Sequence, residues 1–292
     1  MQTIMQNRIC MITGATSGMG KATASALAQM GATVILVARN QSKGETVRDE
    51  IRAQSGNGNV EMMLADLSSQ QAIRDLVKNF QQRYQHLHVL VNNAGGIFFR
   101  RETTVDGLEM TFAVNHLAPF LLTSLLLDTM KASAPASIIN ISSSLERVGT
   151  LNLDDLQSKK RYISVLAYAQ AKLATMLFTY ELARRIEGTG VTVNAVTPGP
   201  VATDFGKNGN HVMNTFLPLL FRFATSAEEG AQTAISLASS PMFAGMNGKV
   251  FYYQKELHSS RKSYNVALQK KLWQASEELI EMLVGERSKL SL

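Results

Sequence analysis

A chain of 292 residues, 45% hydrophobic and 18% charged, is long and apolar enough to bury a large core as one α/β domain. Its net charge of +6 is scattered in short groups such as Arg100-Arg101, Lys159-Lys160-Arg161 and Arg184-Arg185. None is a nucleic-acid arm, so no nucleic-acid partner is expected, and a basic surface favours anionic ligands. The single cysteine, Cys10, excludes an internal disulfide and a thiolate cluster, and the five histidines lack ligand spacing, so no metal is expected.

Apolar, β-rich runs alternate with helix-patterned stretches in chain order. RICMIT (8–13) predicts the first strand, and KATASALAQMG the first helix. TVILVA (33–38), a helix over 41–55, VEMMLA (60–65) and a helix over 69–85 follow. LHVLVN (87–92), a helical stretch at 106–130, ASIINIS (136–142), a helix over 165–187 and VTVNAVT (191–197) continue the alternation. A helix over 227–238 and KVFYY (249–253) close it. Near-continuous apolar strands need cover on both faces, and this regular alternation predicts a Rossmann-type, doubly wound parallel sheet in a single domain. Cys10 reads as a small buried hydrophobe, and His86 and His88 as exposed loop residues.

Two segments break the alternation. Residues 204–226 carry Val212, Met213, Phe216, Leu217, Leu219, Leu220, Phe221 and Phe223 after a glycine- and asparagine-rich start. They form either a lid over an apolar substrate or a surface packed on the core or a second subunit of a homodimer. The tail 255–292 contains NVALQKKLWQASEELIEMLVG, an amphipathic helix directing Leu272, Trp273, Leu279, Ile280 and Leu283 to the domain. There is no membrane span of about 18 uninterrupted apolar residues. MQTIMQNR does not read as a signal peptide, so the expected compartment is cytoplasmic.

TGATSGMG (13–20) joins the first strand to the first helix, where a doubly wound sheet binds its ligand. Gly14, Gly18 and Gly20 permit a tight turn and close approach of a pyrophosphate. The helix that follows offers free N–H groups and its positive end. Thr16, Ser17 and Met19 complete the candidate cradle. A glycine-rich connector without a ligand is the alternative for this motif taken alone. Arg39 ends the second strand where a carboxylate for the ribose 2′-OH would otherwise stand. A guanidinium pairs with a 2′-phosphate, and Ser17 and Lys21 add a hydroxyl and a second cation, so NADP(H) is expected over NAD(H).

With these residues in place, the chain resembles the short-chain dehydrogenases/reductases over nearly its whole length. TGATSGMG resembles the family's TGxxxGxG. The resemblance implies that Asp66 and Leu67 contact adenine. It also implies that Asn93, Ala94 and Gly95 of NNAG, together with Pro198, Gly199, Val201 and Thr203 of PGPVATD, hold the cofactor. Asn115 in FAVNHLAPF, Ser143 in INISSS, and Tyr168 with Lys172 in YAQAK resemble the catalytic tetrad. By the same resemblance Lys172 also holds the nicotinamide ribose, and Asn115 holds a water linking Lys172 to solvent. VNHLAPFLLT, LNLDDLQ and KLWQASEEL are similar to the retinol-dehydrogenase-like branch. The chain departs from the family at Ala171, where a non-catalytic serine is common. It also shows no N-terminal anchor of the kind several members carry, which argues against a membrane-bound, retinoid-specific role.

Tyr168 and Lys172, four residues apart, share one helix face. An adjoining ammonium is expected to lower the phenol toward working pH. Tyr168 then acts as general acid/base while Ser143 hydrogen-bonds the reacting oxygen. The expected activity is NADP(H)-dependent carbonyl reductase or alcohol dehydrogenase chemistry on a small lipophilic aldehyde, ketone or alcohol. Two other readings stay open. One is a catalytically silent NADP-binding regulator. The other is a tetrapyrrole (protochlorophyllide-type) reductase, which the position of Cys10 in the first strand argues against.

Overall fold

The computed structural model describes residues 4–199 and 225–281. Val201, Thr203, Leu283 and all of the candidate lid up to residue 224 lie outside the described residues.

In chain order the elements are β1 (Ile9–Thr13), α1 (Gly18–Gln29), β2 (Thr33–Ala38), α2 (Gln41–Ser55), β3 (Val60–Leu64) and α3 (Gln70–Arg83). Next come β4 (Val89–Asn92), α4 (Met110–Lys131), β5 (Ala136–Ile141), α5 (Ser164–Arg185) and β6 (Val191–Val196). The chain continues with α6 (Ala227–Ser239), β7 (Lys249–Tyr252), β8 (Lys255–Glu256) and α7 (Val266–Glu281).

Among the described residues the sheet has the order β3-β2-β1-β4-β5-β6-β7-β8. Its first seven members run parallel, as the apolar runs predicted. β8 is antiparallel to β7 and was not expected. Tyr253 and Gln254 join the two with φ of 45° and 61°, the left-handed pair that a two-residue hairpin requires. Neither is the glycine or asparagine that normally announces such a turn. The strand order reverses between β1 and β4, and the crevice at their carboxyl ends is where such a sheet places its ligand.

Alternation along each strand divides the core between the two faces. Met11, Ile35 and Leu90 pack beneath α3, α4, α5 and α7. Cys10, Ile12, Val34 and Val91 pack beneath α1, α2 and α6. α4 is, among the described residues, the one helix long and apolar enough to cross a membrane, and 78% of its apolar window is buried inside this domain. His88 is not the plain exposed loop residue expected. It is half-buried, and its Nδ1 accepts the Ile9 amide at 3.0 Å, tying the start of β1 to β4.

The tail helix docks as its pattern predicted. Leu272, Trp273 and Ile280 are buried, and Leu279 packs at the edge of the core. The Trp273 ring meets Phe120 at 4.8 Å and Phe178 at 5.9 Å between centroids, and the Arg185 guanidinium lies 4.1 Å from its centroid. His116 Nε2 meets Ser276 Oγ at 2.8 Å, joining α4 to α7. Trp273→Ala empties the centre of this contact and is expected to lower unfolding stability by about 3–5 kcal/mol, measured by urea denaturation. A loss below about 1 kcal/mol would mean that α7 adds little to the core.

Candidate active site

The glycine loop meets the end of β4 at the topological reversal. Thr13 Oγ1 accepts the amides of Asn93 and Ala94, each at 2.9 Å. Asn93 Nδ2 donates to the carbonyls of Thr13 at 2.8 Å and Gly14 at 3.2 Å. Gly14 and Gly18 take φ of 64° and 53°. A Cβ on Gly20 would stand 2.4 Å from the Gly14 carbonyl oxygen and 2.5 Å from Asn93 Nδ2, so only glycine fits under the loop. The side chain of Asn93 therefore shapes the cradle from below. Thr13, which opens the motif, does the same work although sequence reasoning did not single it out.

These residues suit a dinucleotide pyrophosphate, because bare backbone faces the start of α1 and Ser17, at its N-cap, makes no side-chain capping bond. Thr16 and Met19 are half-buried in the same turn, and Met19 packs on the core below α1. Arg39 follows β2, whose Val37 pairs with Thr13, so it stands beside the loop. It is exposed and, among the described residues, has no ion-pair partner. Lys21, in the first turn of α1, forms an exposed ion pair with Glu50 of α2. Asp66 is exposed, and its Oδ1 accepts the Ser68 amide and hydroxyl at 2.9 and 2.8 Å, which fixes the turn after β3. Leu67 packs on the core, and Pro198 and Gly199 stand half-buried after β6.

Asn115 is carried by a π-helical turn, Ala113–Leu117, inside α4. The wider turn is a common device at functional sites. Its Nδ2 donates to Gly96 and Thr111 carbonyls, each at 2.8 Å, and its Oδ1 accepts the Gly96 amide at 3.2 Å. A Cβ on Gly95 would lie 2.5 Å from Asn115 Oδ1 and 3.4 Å from Lys172 Nζ. NNAG, α4 and α5 thus converge at one point.

The expected partners on β5 and α5 also meet. Ser143 stands beside the Tyr168 phenol and acts on it in the direction of an approaching O–H donor. Ser142 is buried and donates to the Lys172 carbonyl at 3.3 Å. Lys172 is 4% exposed, its Nζ donates to the Ile141 carbonyl at 3.0 Å, and it lies 5.4 Å from the Tyr168 ring centroid. Thr175 Oγ1 donates to the Asn115 carbonyl at 3.3 Å, locking α5 to the π turn.

Burial, not charge pairing, sets the electrostatics. Desolvation pushes the Tyr168 phenol up, against a smaller opposing effect of Ser143. The lowered phenol expected from an adjoining ammonium is therefore corrected. Desolvation likewise pushes Lys172 down to about 8. Both shifts favour neutral groups, so the phenol keeps its proton. Burial raises the Cys10 thiol to about 12, which leaves it an inert part of the core. Among the described residues no group of three potential ligands can hold a metal.

Two further features escaped sequence reasoning. Asn92 Nδ2 donates to Asn140 Oδ1 at 2.9 Å and Thr123 Oγ1 at 3.1 Å, while Asn140 Nδ2 donates to Thr179 Oγ1 at 3.0 Å. This polar ladder ties β4 and β5 to α4 and α5 within the core. Tyr162 donates to the Phe98 carbonyl at 2.6 Å and meets Thr111 Oγ1 at 2.9 Å, pinning the half-buried Ile97-Phe98-Phe99 segment. Local pattern does not mark these contacts, because the partners are far apart in sequence.

A parallel sheet that reverses at a glycine cradle defines a nucleotide-binding α/β protein of the Rossmann type. A sequence model of the short chain dehydrogenase family matches residues 8–214. Mouse (Mus musculus) retinol dehydrogenase 12 is 41% identical over 94% of this chain and 86% of its own length. Human (Homo sapiens) polyprenol dehydrogenase is also 41% identical, over 95% and 86%. A crystal structure of an uncharacterized protein from Mycobacterium paratuberculosis superposes with a TM-score of 0.76 at 30% identity, covering 94% of each chain. Pseudomonas aeruginosa RhlG, in an NADP active-site complex, superposes with a TM-score of 0.70 at 26% identity, covering 86% of this chain and 97% of that one. The chain belongs to the short-chain dehydrogenase/reductase family, in its retinol-dehydrogenase-like branch, and is an oxidoreductase.

The Lys172 shift has a consequence for stability. Its folded value of about 8 lies below its ordinary 10.5, so folding disfavours the ammonium. As pH falls from 10.5 to about 8, the unfolded chain takes up the proton first and stability drops; below about 8 the penalty is constant. Lys172→Met is expected to exceed wild type in thermal stability at pH 7, by up to about 3 kcal/mol less the lost bond to Ile141. The gap should narrow as the pH approaches 10.5. A gap that does not change with pH would place the ammonium in water.

Proposed function

We propose that the protein is an NADP(H)-dependent oxidoreductase that interconverts a lipophilic aldehyde or ketone and its alcohol, with Tyr168 as general acid/base. The observation that carries this reading is the buried pair of Tyr168 and Lys172, with Lys172 Nζ 5.4 Å from the tyrosine ring centroid and Ser143 beside the phenol. The glycine loop would hold the pyrophosphate, Arg39 the 2′-phosphate, and Asp66 and Leu67 the adenine. Asn93, Ala94, Gly95, Pro198 and Gly199, with Val201 and Thr203, would border the nicotinamide. When bound, that nicotinamide supplies or accepts a hydride.

The protein's own groups manage the proton. A substrate carbonyl oxygen between Ser143 and Tyr168 accepts two hydrogen bonds, and the phenol proton passes to it as negative charge develops. Because burial raises the phenol, Tyr168 is protonated and ready to donate in the reducing direction. In the oxidising direction Tyr168 must first release its proton to solvent, and the phenolate so formed, stabilised by the positive charge of Lys172 beside it, takes the alcohol proton. Asn115, held by Gly96 and the π turn, would hold a water that links Lys172 to solvent. The Ile97–Phe99 segment offers an apolar wall, and the names of the retinol and polyprenol dehydrogenases point to lipophilic alcohols.

Tyr168→Phe is expected to lower turnover by about 10²-fold or more while NADPH binding stays close to wild type, measured by NADPH oxidation with a panel of lipophilic aldehydes. Retention of more than a tenth of the rate would assign the proton to another group. NADPH is expected to bind roughly 10- to 150-fold more tightly than NADH through Arg39, and Arg39→Asp to invert that preference in fluorescence titrations. Equal affinities in the wild type would remove Arg39 from cofactor selection.

A further inference from the structure

A buried carboxylate three residues beyond Ser143 has no part in the mechanism above. Glu146 is 2% exposed and sits in the short helical turn Ser144–Arg147, immediately after the reactive serine. Its Oε1 accepts the Ser260 amide at 2.9 Å, and its Oε2 accepts the Ser260 hydroxyl at 2.6 Å. Two more bonds join the same two segments: Arg147 donates to the His258 carbonyl, and Lys262 Nζ donates to the Gly149 carbonyl at 2.8 Å. Segment 258–264 therefore straps the turn from outside.

The far side of the strap is fixed to α5, the helix that carries Tyr168 and Lys172. Tyr180 OH meets Ser259 Oγ at 2.6 Å, and the Tyr180 and Tyr264 rings lie 5.0 Å apart. Ser263, fully buried, meets Ser259 Oγ at 2.7 Å and donates to the Ser260 carbonyl at 2.6 Å. The near side ends at the serine itself. The Glu146 amide donates to the Ser143 carbonyl at 3.1 Å, and Ser143 Oγ accepts the Leu145 amide at 3.2 Å. An unbroken chain of polar contacts thus runs from Ser143 through Glu146, Ser260, Ser263, Ser259 and Tyr180 to α5.

A buried carboxylate is retained only where its partners are fixed, because breaking the set leaves an uncompensated charge. Here the set spans two segments more than 100 residues apart in sequence, |i−j| = 114 for the Glu146–Ser260 pair. Ser143 and Tyr168 stand on different elements, and their mutual geometry needs a brace outside the reacting centre. We propose that Glu146 is a positioning residue that, bonded to Ser260 of the C-terminal segment, holds the Ser143 hydroxyl in register with the Tyr168 phenol. This rests on the functional reading above, since it assigns Ser143 a part in turnover.

The test is a double-mutant cycle with a structural readout. Glu146→Leu keeps the volume and removes both acceptors. Glu146→Gln is the conservative rescue, because its amide accepts from the Ser260 N–H and donates to the hydroxyl. Ser260→Ala removes a single bond and serves in the same cycle if Glu146→Leu does not fold. NADPH-dependent reduction is followed with all-trans-retinal, a medium-chain aldehyde and an aromatic ketone, and hydrogen exchange is followed in the same proteins. Glu146→Leu is expected to lower kcat about tenfold with NADPH affinity unchanged, to speed exchange over 143–149 and 258–263, and to be largely restored by Glu146→Gln. In the Ser143→Ala background the loss should vanish, because the residue through which it acts is gone. Losses that multiply independently of Ser143→Ala, or faster exchange with an unchanged kcat, would overturn the proposal and leave Glu146 a purely structural contact. A Ser143→Ala protein as active as wild type would overturn the reading of the site itself. If wild type reduces none of the three probes, that reading fails, and unchanged exchange in Glu146→Leu would still overturn the strap.

Discussion

The amino group of Lys172 is almost completely withdrawn from water, and much of the surrounding structure follows from that constraint. An ammonium in such a place keeps its charge only at a cost, which is why burial pulls its pKa down to about 8. The carbonyl that receives it, that of Ile141, is the last of β5. Gly95 must lack a side chain because Asn115 and Lys172 close on it from two helices. Asn115 reaches that point through the π turn in α4, and Thr175 on α5 bonds back to its carbonyl. A large apolar core on both faces of the sheet supplies the stability that such an arrangement consumes.

The cofactor side is organised by a different economy of atoms. Backbone, rather than charged side chains, lines the turn after β1, and Thr13 and Asn93 hold that backbone from beneath. This leaves the start of α1 free to meet phosphate oxygens. Positive charge is rationed: Lys21 is neutralised by Glu50, while Arg39 remains open to solvent.

The C-terminal third extends the fold in two ways. α7 covers aromatic residues of α4 and α5 that would otherwise meet water, with Trp273 at the centre. The segment before it reaches back to the turn after Ser143. This stretch touches both the outer face of α5 and the turn after Ser143.

Much was legible in the residues alone. Near-continuous apolar runs required strands covered on both faces, and their alternation with helices led to the sheet observed in β1 to β7. The four-residue spacing of Tyr168 and Lys172 placed them on one helical face, and glycines at 14, 18 and 20 marked the cradle. These are local properties: a strand or helix period, or a turn that only glycine fits. The β8 hairpin, the pairing of Lys21 with Glu50 and the Glu146–Ser260 bond were not legible, because each depends on partners that local pattern does not encode. The direction of the Tyr168 shift belongs with them. Sequence showed that a lysine stood nearby, but only the packed structure decides whether a neighbour's charge or the loss of water dominates, and here the loss of water does. The chain by itself determined which elements form and which residues gather at the strand ends; tertiary structure decided how those residues face one another, because burial and long-range hydrogen bonds exist only once the sheet has closed over them.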